Sequence, residues 1–194
     1  MWQMTRKDII SLPHRSLRKR SQKVSIFDDK LGKLVEHMEG ATLDWENHRQ
    51  HEVGVALAAP QINVLKRLIV IRNDFDNKDD KSFLPLVNPK VIRREGRQVM
   101  DYEGCLSVPD IYGQIPRYER IKIKAQDLDG QEFRLTARGF LARVLQHEID
   151  HTHGIMFVDY LKNSWDAFYL LNDEGKLVPI KESEIAKQAD ILWH

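Results

Sequence analysis

The chain is poor in the features that mark small secreted, membrane or fibrous proteins. It has one cysteine among 194 residues, Cys105, so no disulfide can form within it. A lone thiol suits a reducing cytoplasm and leaves the sulfur free for metal or chemistry. No apolar run is long enough to cross a bilayer, and Met1 to Ile10 is too polar for the apolar centre of a secretory leader. Neither sign of charge is in excess. The 30 Lys and Arg against 29 Asp and Glu leave a formal net charge of +1, which gives no bulk field toward nucleic acid or a membrane surface. One cluster is basic, namely Arg15, Arg18, Lys19, Arg20 and Lys23. It is short and isolated and reads as a solvated surface segment. Repeats, low-complexity tracts and linkers are also missing. The rest is ordinary, with 42% apolar and 30% charged residues in a length that suits one domain over residues 1–194.

Chemistry enters at Gln146-His147-Glu148-Ile149-Asp150-His151. Imidazoles four residues apart project from one side of an α-helix about one turn apart. Both can grip a divalent metal without bending the backbone, and Glu148 beside them can take a proton from water. At about 100° per residue, Phe140, Leu141, Val144, Leu145, His147, Glu148 and His151 gather on one arc. Ala142, Arg143, Gln146 and Asp150 are assigned to the opposite side. The first arc should be buried, and a glutamate there needs a partner such as a metal centre with its water. Thr136 is the expected N-cap and Gly154 the expected stop.

Elsewhere the periodicities predict a short helix over residues 5–10 and a longer one from Asp28 to about Asp44, followed by a polar loop from Trp45 to Glu52. Leu68–Ile71 reads as a buried strand, 73–82 as a charged loop, and Leu86–Arg93 and Gln98–Tyr102 as two further strands. Arg120–Gln126 and Phe133–Thr136 pair as a hairpin across Asp129-Gly130. A last hairpin joins Phe168–Leu171 to Leu177–Ile180, before a terminal helix from Ser183 to about Leu192. This order gives an α+β fold of mostly antiparallel sheets around a central buried helix that carries the His-Glu-x-x-His motif.

Two histidines make half a site, because a catalytic zinc-type centre takes three protein ligands and keeps one position for water. His153 points off the shared face, and Asp159 falls in a turn or strand. Cys105 is the stronger third donor, since a thiolate suits borderline divalent metals. It lies in Glu103-Gly104-Cys105-Leu106-Ser107-Val108-Pro109, where Gly104 permits close approach and Pro109 is expected to end regular structure. The residues alone leave two other readings open. One is a metalloprotease or other amidase with its third ligand downstream; the other is a closed, non-catalytic metal module.

Three blocks in order narrow the choice. Gly54-Val55-Ala56-Leu57-Ala58-Ala59-Pro60-Gln61, Glu103-Gly104-Cys105-Leu106-Ser107 and Gln146-His147-Glu148-Ile149-Asp150-His151 resemble the three signature motifs of peptide deformylase, and the likeness covers roughly residues 54–161. The resemblance implies a hydrolase that removes the formyl group from N-formylmethionine of nascent polypeptides and releases formate. Cys105, His147 and His151 match the ligands of one divalent ion, expected to be Fe(II), with zinc, nickel or cobalt accepted by the same donors. Glu148 matches the general base and acid that serves hydroxide attack on the formyl carbon. Gln61 and the Leu106 backbone N–H match the oxyanion donors. Val55, Ala56, Phe140 and Val144 match walls of the methionine pocket, while Glu103 and Arg117 match a pair that positions the cysteine loop. The expected partners are N-formylmethionyl nascent peptides in the cytoplasm. A transient ribosome contact is left open, with no direct nucleic-acid or membrane binding indicated.

The sequence also departs from the family pattern. Ala56 stands where the first motif has its second glycine, and Thr152 where a leucine is usual. Arg143, apolar in some relatives, is expected to be solvated. The Trp45–Glu52 approach is long, and the ending after Tyr160 lacks a long C-terminal helix, which puts in doubt any ribosome contact by such a helix.

Overall fold

The computed structural model describes residues 5–193; the first four residues of the polar N-terminus and His194 lie outside them. Helix α1 (Asp29–Asn47) leads to two short strands, β1 (Ala56–Ala58) and β2 (Leu68–Arg72), and then to a long ribbon, β3 (Phe83–Cys105) and β4 (Val108–Gln126). β5 (Glu132–Arg138) runs straight into helix α2 (Gly139–Thr152). β6 (Phe168–Leu171), β7 (Leu177–Pro179) and α3 (Glu182–Trp193) follow. The sheet is antiparallel in the order β1-β2-β3-β4-β6-β7. β4 shares its second edge between β6, at Ile111–Gly113, and β5, at Arg120–Gln126.

β2 explains how the layers stack. Successive strand residues face opposite sides, and every residue of β2 is buried. Leu68 and Val70 join the core under α1, with Leu31, Val35, Met38 and Trp45. Ile69 and Ile71 join the core under α2, with Ile121, Ile123, Ala142, Leu145 and Ile149. A strand covered on both faces reads as one continuous apolar run, as Leu-Ile-Val-Ile does. A third core, under the C-terminal elements, includes Leu17, Ile115, Phe157, Phe168 and Ile185.

α1 starts where expected, with the Asp28 carboxylate accepting the Leu31 N–H at 3.1 Å, but it continues through Asn47. The expected loop from Trp45 is therefore helical for its first three residues. Trp45 is buried in the core, and Glu46 pairs with the fully buried Arg72. Glu46 also accepts the Gly54 N–H at 3.0 Å, which ties the end of α1 to the first motif. Burial acts to raise the Glu46 pKa, but the Arg72 hydrogen bond, the Gly54 N–H and nearby cations outweigh it and hold the carboxyl below its usual range. A carboxyl that titrates lower in the folded chain stabilises fully above its unfolded value, and that contribution fades as pH falls toward the folded value. The stability gap between the parent and Glu46→Gln should therefore be constant near neutrality and narrow below about pH 4.3, the ordinary glutamate value. Urea titrations that stay parallel through this range would exclude the pair as the cause.

The two strands expected at Leu86–Arg93 and Gln98–Tyr102 are one. Register shifts between Val91 and Arg93 and between Glu95 and Gln98 absorb Gly96, whose φ is 76°, without breaking the pairing, as bulges do. Pro109 does not end structure. It falls inside β4, where the ladder is already interrupted by the shift between Glu103 and Cys105. Thr136 lies in β5, and Arg138 takes the N-cap position of α2 without a side-chain cap bond. Gly154 does mark the stop, at φ 76°. In the basic N-terminal cluster, Arg18 departs from the solvated reading. It pairs with Asp159 at 2.5 Å and donates to the Leu192 carbonyl, docking the N-terminal segment on α3.

Candidate metal centre

Three donor atoms converge between α2 and the closed end of the β3–β4 ribbon. Cys105 Sγ lies 3.3 Å from His151 Nε2, which lies 3.1 Å from His147 Nε2. The donor atoms of the three residues all fall within 4.8 Å of one another, and all three residues are buried. A four-coordinate centre with bonds of 2.0–2.3 Å separates its N and S ligands by about 3.3–3.6 Å, so the spacing suits one ion. The helix supplies two donors one turn apart. The third comes from the last residue of β3, just before the two-residue connection to β4.

The donors are held from behind. Glu103 accepts the His147 Nδ1–H at 3.0 Å, which aims Nε2 at the other donors. The same carboxylate takes a bidentate pair from Arg117, at 2.9 and 3.0 Å, and a third bond from Arg143 Nη1 at 2.9 Å. Arg117 also reaches Asp150 at 2.5 Å and Tyr160 at 3.1 Å. Burial acts to raise the Glu103 pKa, but its bonds from His147 and Arg117 prevail and hold it at about 2.

Arg143 is not solvated. It is 6% exposed and donates to the Ile115 and Val99 carbonyls at 2.7 and 2.6 Å. It sits one turn before His147, so it belongs to the buried stripe rather than the opposite face. Ala142 and Gln146 are buried too, because the ribbon covers flanks of α2 that a two-sided helix would leave to water. Thr152 is buried and satisfied, donating to the Ile149 carbonyl at 2.7 Å.

Glu148 is 5% exposed, and its Oε2 has no hydrogen-bond partner among the described residues. Burial pushes its carboxyl up to about 7, against the charge of His147. Burial, then the charge of His147, drives the His151 pKa well below its ordinary value. An unpartnered carboxylate oxygen beside three inward-facing N and S donors is what a cation and its water would satisfy.

Gln61 is fixed by the Ala58 N–H, which donates to its Oε1 at 2.8 Å. This turns Nε2 toward Ser107 Oγ at 3.3 Å and Cys105 Sγ at 3.5 Å. A cleft of about 320 Å³ opens over the centre, and Val55, Ala56, Gln61, Leu106, Phe140, Val144, His147 and Glu148 all line it. Phe140 stands 48% exposed at the rim rather than packed in the core.

A family model described as Polypeptide deformylase matches residues 6–166. The chain belongs to the peptide deformylase family. The peptide deformylase of Thermomicrobium roseum is 41% identical over 161 residues, covering 81% of this chain and 87% of that protein. Peptide deformylase 1 of Bacillus subtilis is 37% identical over 172 residues, covering 89% and 100%. Among solved structures, a Synechococcus elongatus peptide deformylase in complex with actinonin matches with a TM-score of 0.71 and 36% identity, over 80% of this chain and 79% of that one. The chain is accordingly a metal-dependent hydrolase that removes N-formyl groups from nascent peptides, and its Cys105, His147 and His151 are consistent with one metal ion. No helix among the described residues is long and apolar enough to cross a membrane.

Sequence reasoning missed part of the deformylase cleft. His51, Glu52, Tyr102, Tyr112 and Arg143 line it as well. Two of these lean on the hairpin beyond residue 166. Tyr169 packs edge-on against Tyr102 with ring centres 4.9 Å apart, and the Asp173 carbonyl meets His51 Nε2 at 3.1 Å. Tyr169→Ala should raise KM for longer formyl-Met peptides about 2- to 10-fold, the worth of one aromatic pair. Tyr169→Phe should not, and formyl-Met-Ala turnover should hold in both. Equal losses on short and long substrates would remove the hairpin from recognition.

Proposed function

We propose that residues 1–194 form one catalytic domain in which α2 is the central helix, and that Cys105, His147 and His151 hold a single divalent ion, Fe(II) natively. Zinc, nickel or cobalt would be accepted by the same donors. The observation that carries this reading is the convergence of one sulfur and two ring nitrogens beside the unpartnered Glu148 oxygen. When bound, the ion supplies Lewis-acid character that makes water more acidic and polarises a carbonyl.

The chain's own groups carry the remaining steps. Glu148 takes the proton from the attacking water and passes it to the departing amine nitrogen. Gln61 Nε2 and the Leu106 N–H donate to the oxygen that gains charge in the tetrahedral intermediate; the Ala58 contact that orients the Gln61 amide supports this role. Val55, Ala56, Phe140 and Val144 enclose the methionine side chain. β1 lies at the end of the sheet order, and its outer edge, unpaired with any strand among the described residues, suits strand-like pairing with the peptide backbone. Glu103, Arg117 and Arg143 position His147. The substrate is the N-formylmethionyl nascent chain, met in the cytoplasm.

The test is Cys105→Ser, purified without oxygen. Bound metal should fall at least tenfold, or its identity should change, and formate release from formyl-Met-Ala should fall with it. Acetyl-Met-Ala should be untouched by the parent. Unchanged metal and activity in the variant would place the third donor elsewhere.

A further inference from the structure

The outer face of β3, β4 and β5 is laid out in rows of cations. Register sets Lys90 opposite Lys124 and Lys124 opposite Arg134, sets Arg93 opposite Lys122, and sets Arg120 between Glu95 and Arg138. The intervening Ile121, Ile123, Ala125 and Ala137 are buried toward α2, so alternation sends the charged side chains to the far side of the sheet. Seven cations stand there against two carboxylates, Glu95 and Glu132. The excess is several times that of the whole chain, whose net charge is only +1.

Glu95 pairs with Arg93 at 2.9 Å and Arg120 at 3.0 Å, and Glu132 with Lys124 at 2.9 Å. Lys90, Arg134 and Arg138 have no ion-pair partner among the described residues. Like charges directly opposite one another destabilise a sheet, and four of these cross-strand pairs are of that kind. An external polyanion would reverse the sign of that cost.

We propose that this face docks the phosphate backbone of RNA. The cations on β4 recur every second residue, about 6.7 Å apart, in a straight line suited to successive phosphates. The rows hold no aromatic side chain to stack on bases, and one exposed apolar residue, Ile92 at the shift beside Arg93, is too little to anchor the face in a lipid surface, which favours backbone contact without sequence reading. Arg138 is two residues from Phe140 on the cleft rim, so a polyanion held here lies beside the mouth that receives the nascent peptide. The choice of RNA over other polyanions rests on the deformylase reading; the surface itself does not.

The metal-loaded full chain is titrated against a fluorescent 20-base-pair RNA duplex at several salt concentrations, with formate release from formyl-Met-Ala measured in parallel. Binding in the range of about 1–100 µM near physiological salt is expected. Lys90→Gln, Lys122→Gln, Lys124→Gln and Arg134→Gln combined should weaken it at least tenfold and reduce the salt slope by about 3, with formate release unchanged. No saturable binding at low salt overturns the proposal, as does equal binding by the variant. Phosphatidylserine vesicles or polyglutamate binding as tightly as RNA would also overturn it, by assigning the face to another partner. Loss of formate release in the parent would instead count against the deformylase reading and leave the RNA result to stand by itself.

Discussion

Glu148→Gln is expected to keep its metal and lose turnover, with kcat falling about 10²- to 10⁴-fold, the range for removing a positioned general acid–base. Glutamine keeps the shape of the side chain but cannot accept and return a proton. Among the described residues, the Glu148 side chain makes none of the hydrogen bonds that hold the site together, and its Oε2 has no partner. Folding should therefore be preserved, and deleting a buried charge whose burial already opposes ionisation should not lower thermal stability. Metal content by elemental analysis, melting temperature and formate release from formyl-Met-Ala together decide the matter. Turnover within tenfold of the parent, at full metal loading, would take the proton-carrying role away from Glu148.

Glu103→Ala should cost the fold more than any other single change near the site. The carboxylate is 5% exposed and bonded to two buried guanidiniums and an imidazole. Removing it takes away the carboxylate between Arg117 and Arg143, while Asp150 stays bonded to Arg117. Breaking a buried pair from one side costs about 3–5 kcal/mol, which for this length corresponds to a drop in Tm of roughly 6–20 °C. Metal affinity should fall about 10- to 100-fold as His147 loses its orienting acceptor. A second change, Arg143→Ala, should restore part of the stability by removing one stranded cation, and the double-mutant cycle measures how much. A Tm within about 2 °C of the parent would mean that the guanidiniums find other acceptors and that Glu103 is dispensable.

The three donors that converge in the structure were legible because they are local or singular. His147 and His151 fall on one helical turn, and Cys105 is the one cysteine in the sequence. The strands read well where one face is polar, as in Arg120–Gln126. What failed depends on which partner covers a face. Arg143 looked like a solvent residue because nothing in α2 itself reveals that β3 and β4 wrap its flank and offer the Val99 and Ile115 carbonyls. Trp45 and Glu46 looked like loop because the partner that makes them helical, Arg72, lies 26 positions ahead. The stretch between Arg93 and Gln98 was read as a gap between two strands because bulges, which carry one strand through such a stretch, leave little trace in composition. The near-zero net charge likewise hid the rows of cations, since a sum over the chain discards position.

Cys105 ends one strand just before a two-residue connection, while His147 and His151 belong to a helix more than forty residues later. An ion shared between them acts as a crosslink that exists only when ribbon and helix have docked. It adds nothing to either piece alone, so its binding energy becomes resistance to their separation. Chelation should therefore speed local opening at this junction, read as faster amide exchange in α2 and the tip of the ribbon. The junction under α1, which contains none of the three ligands, should exchange as before.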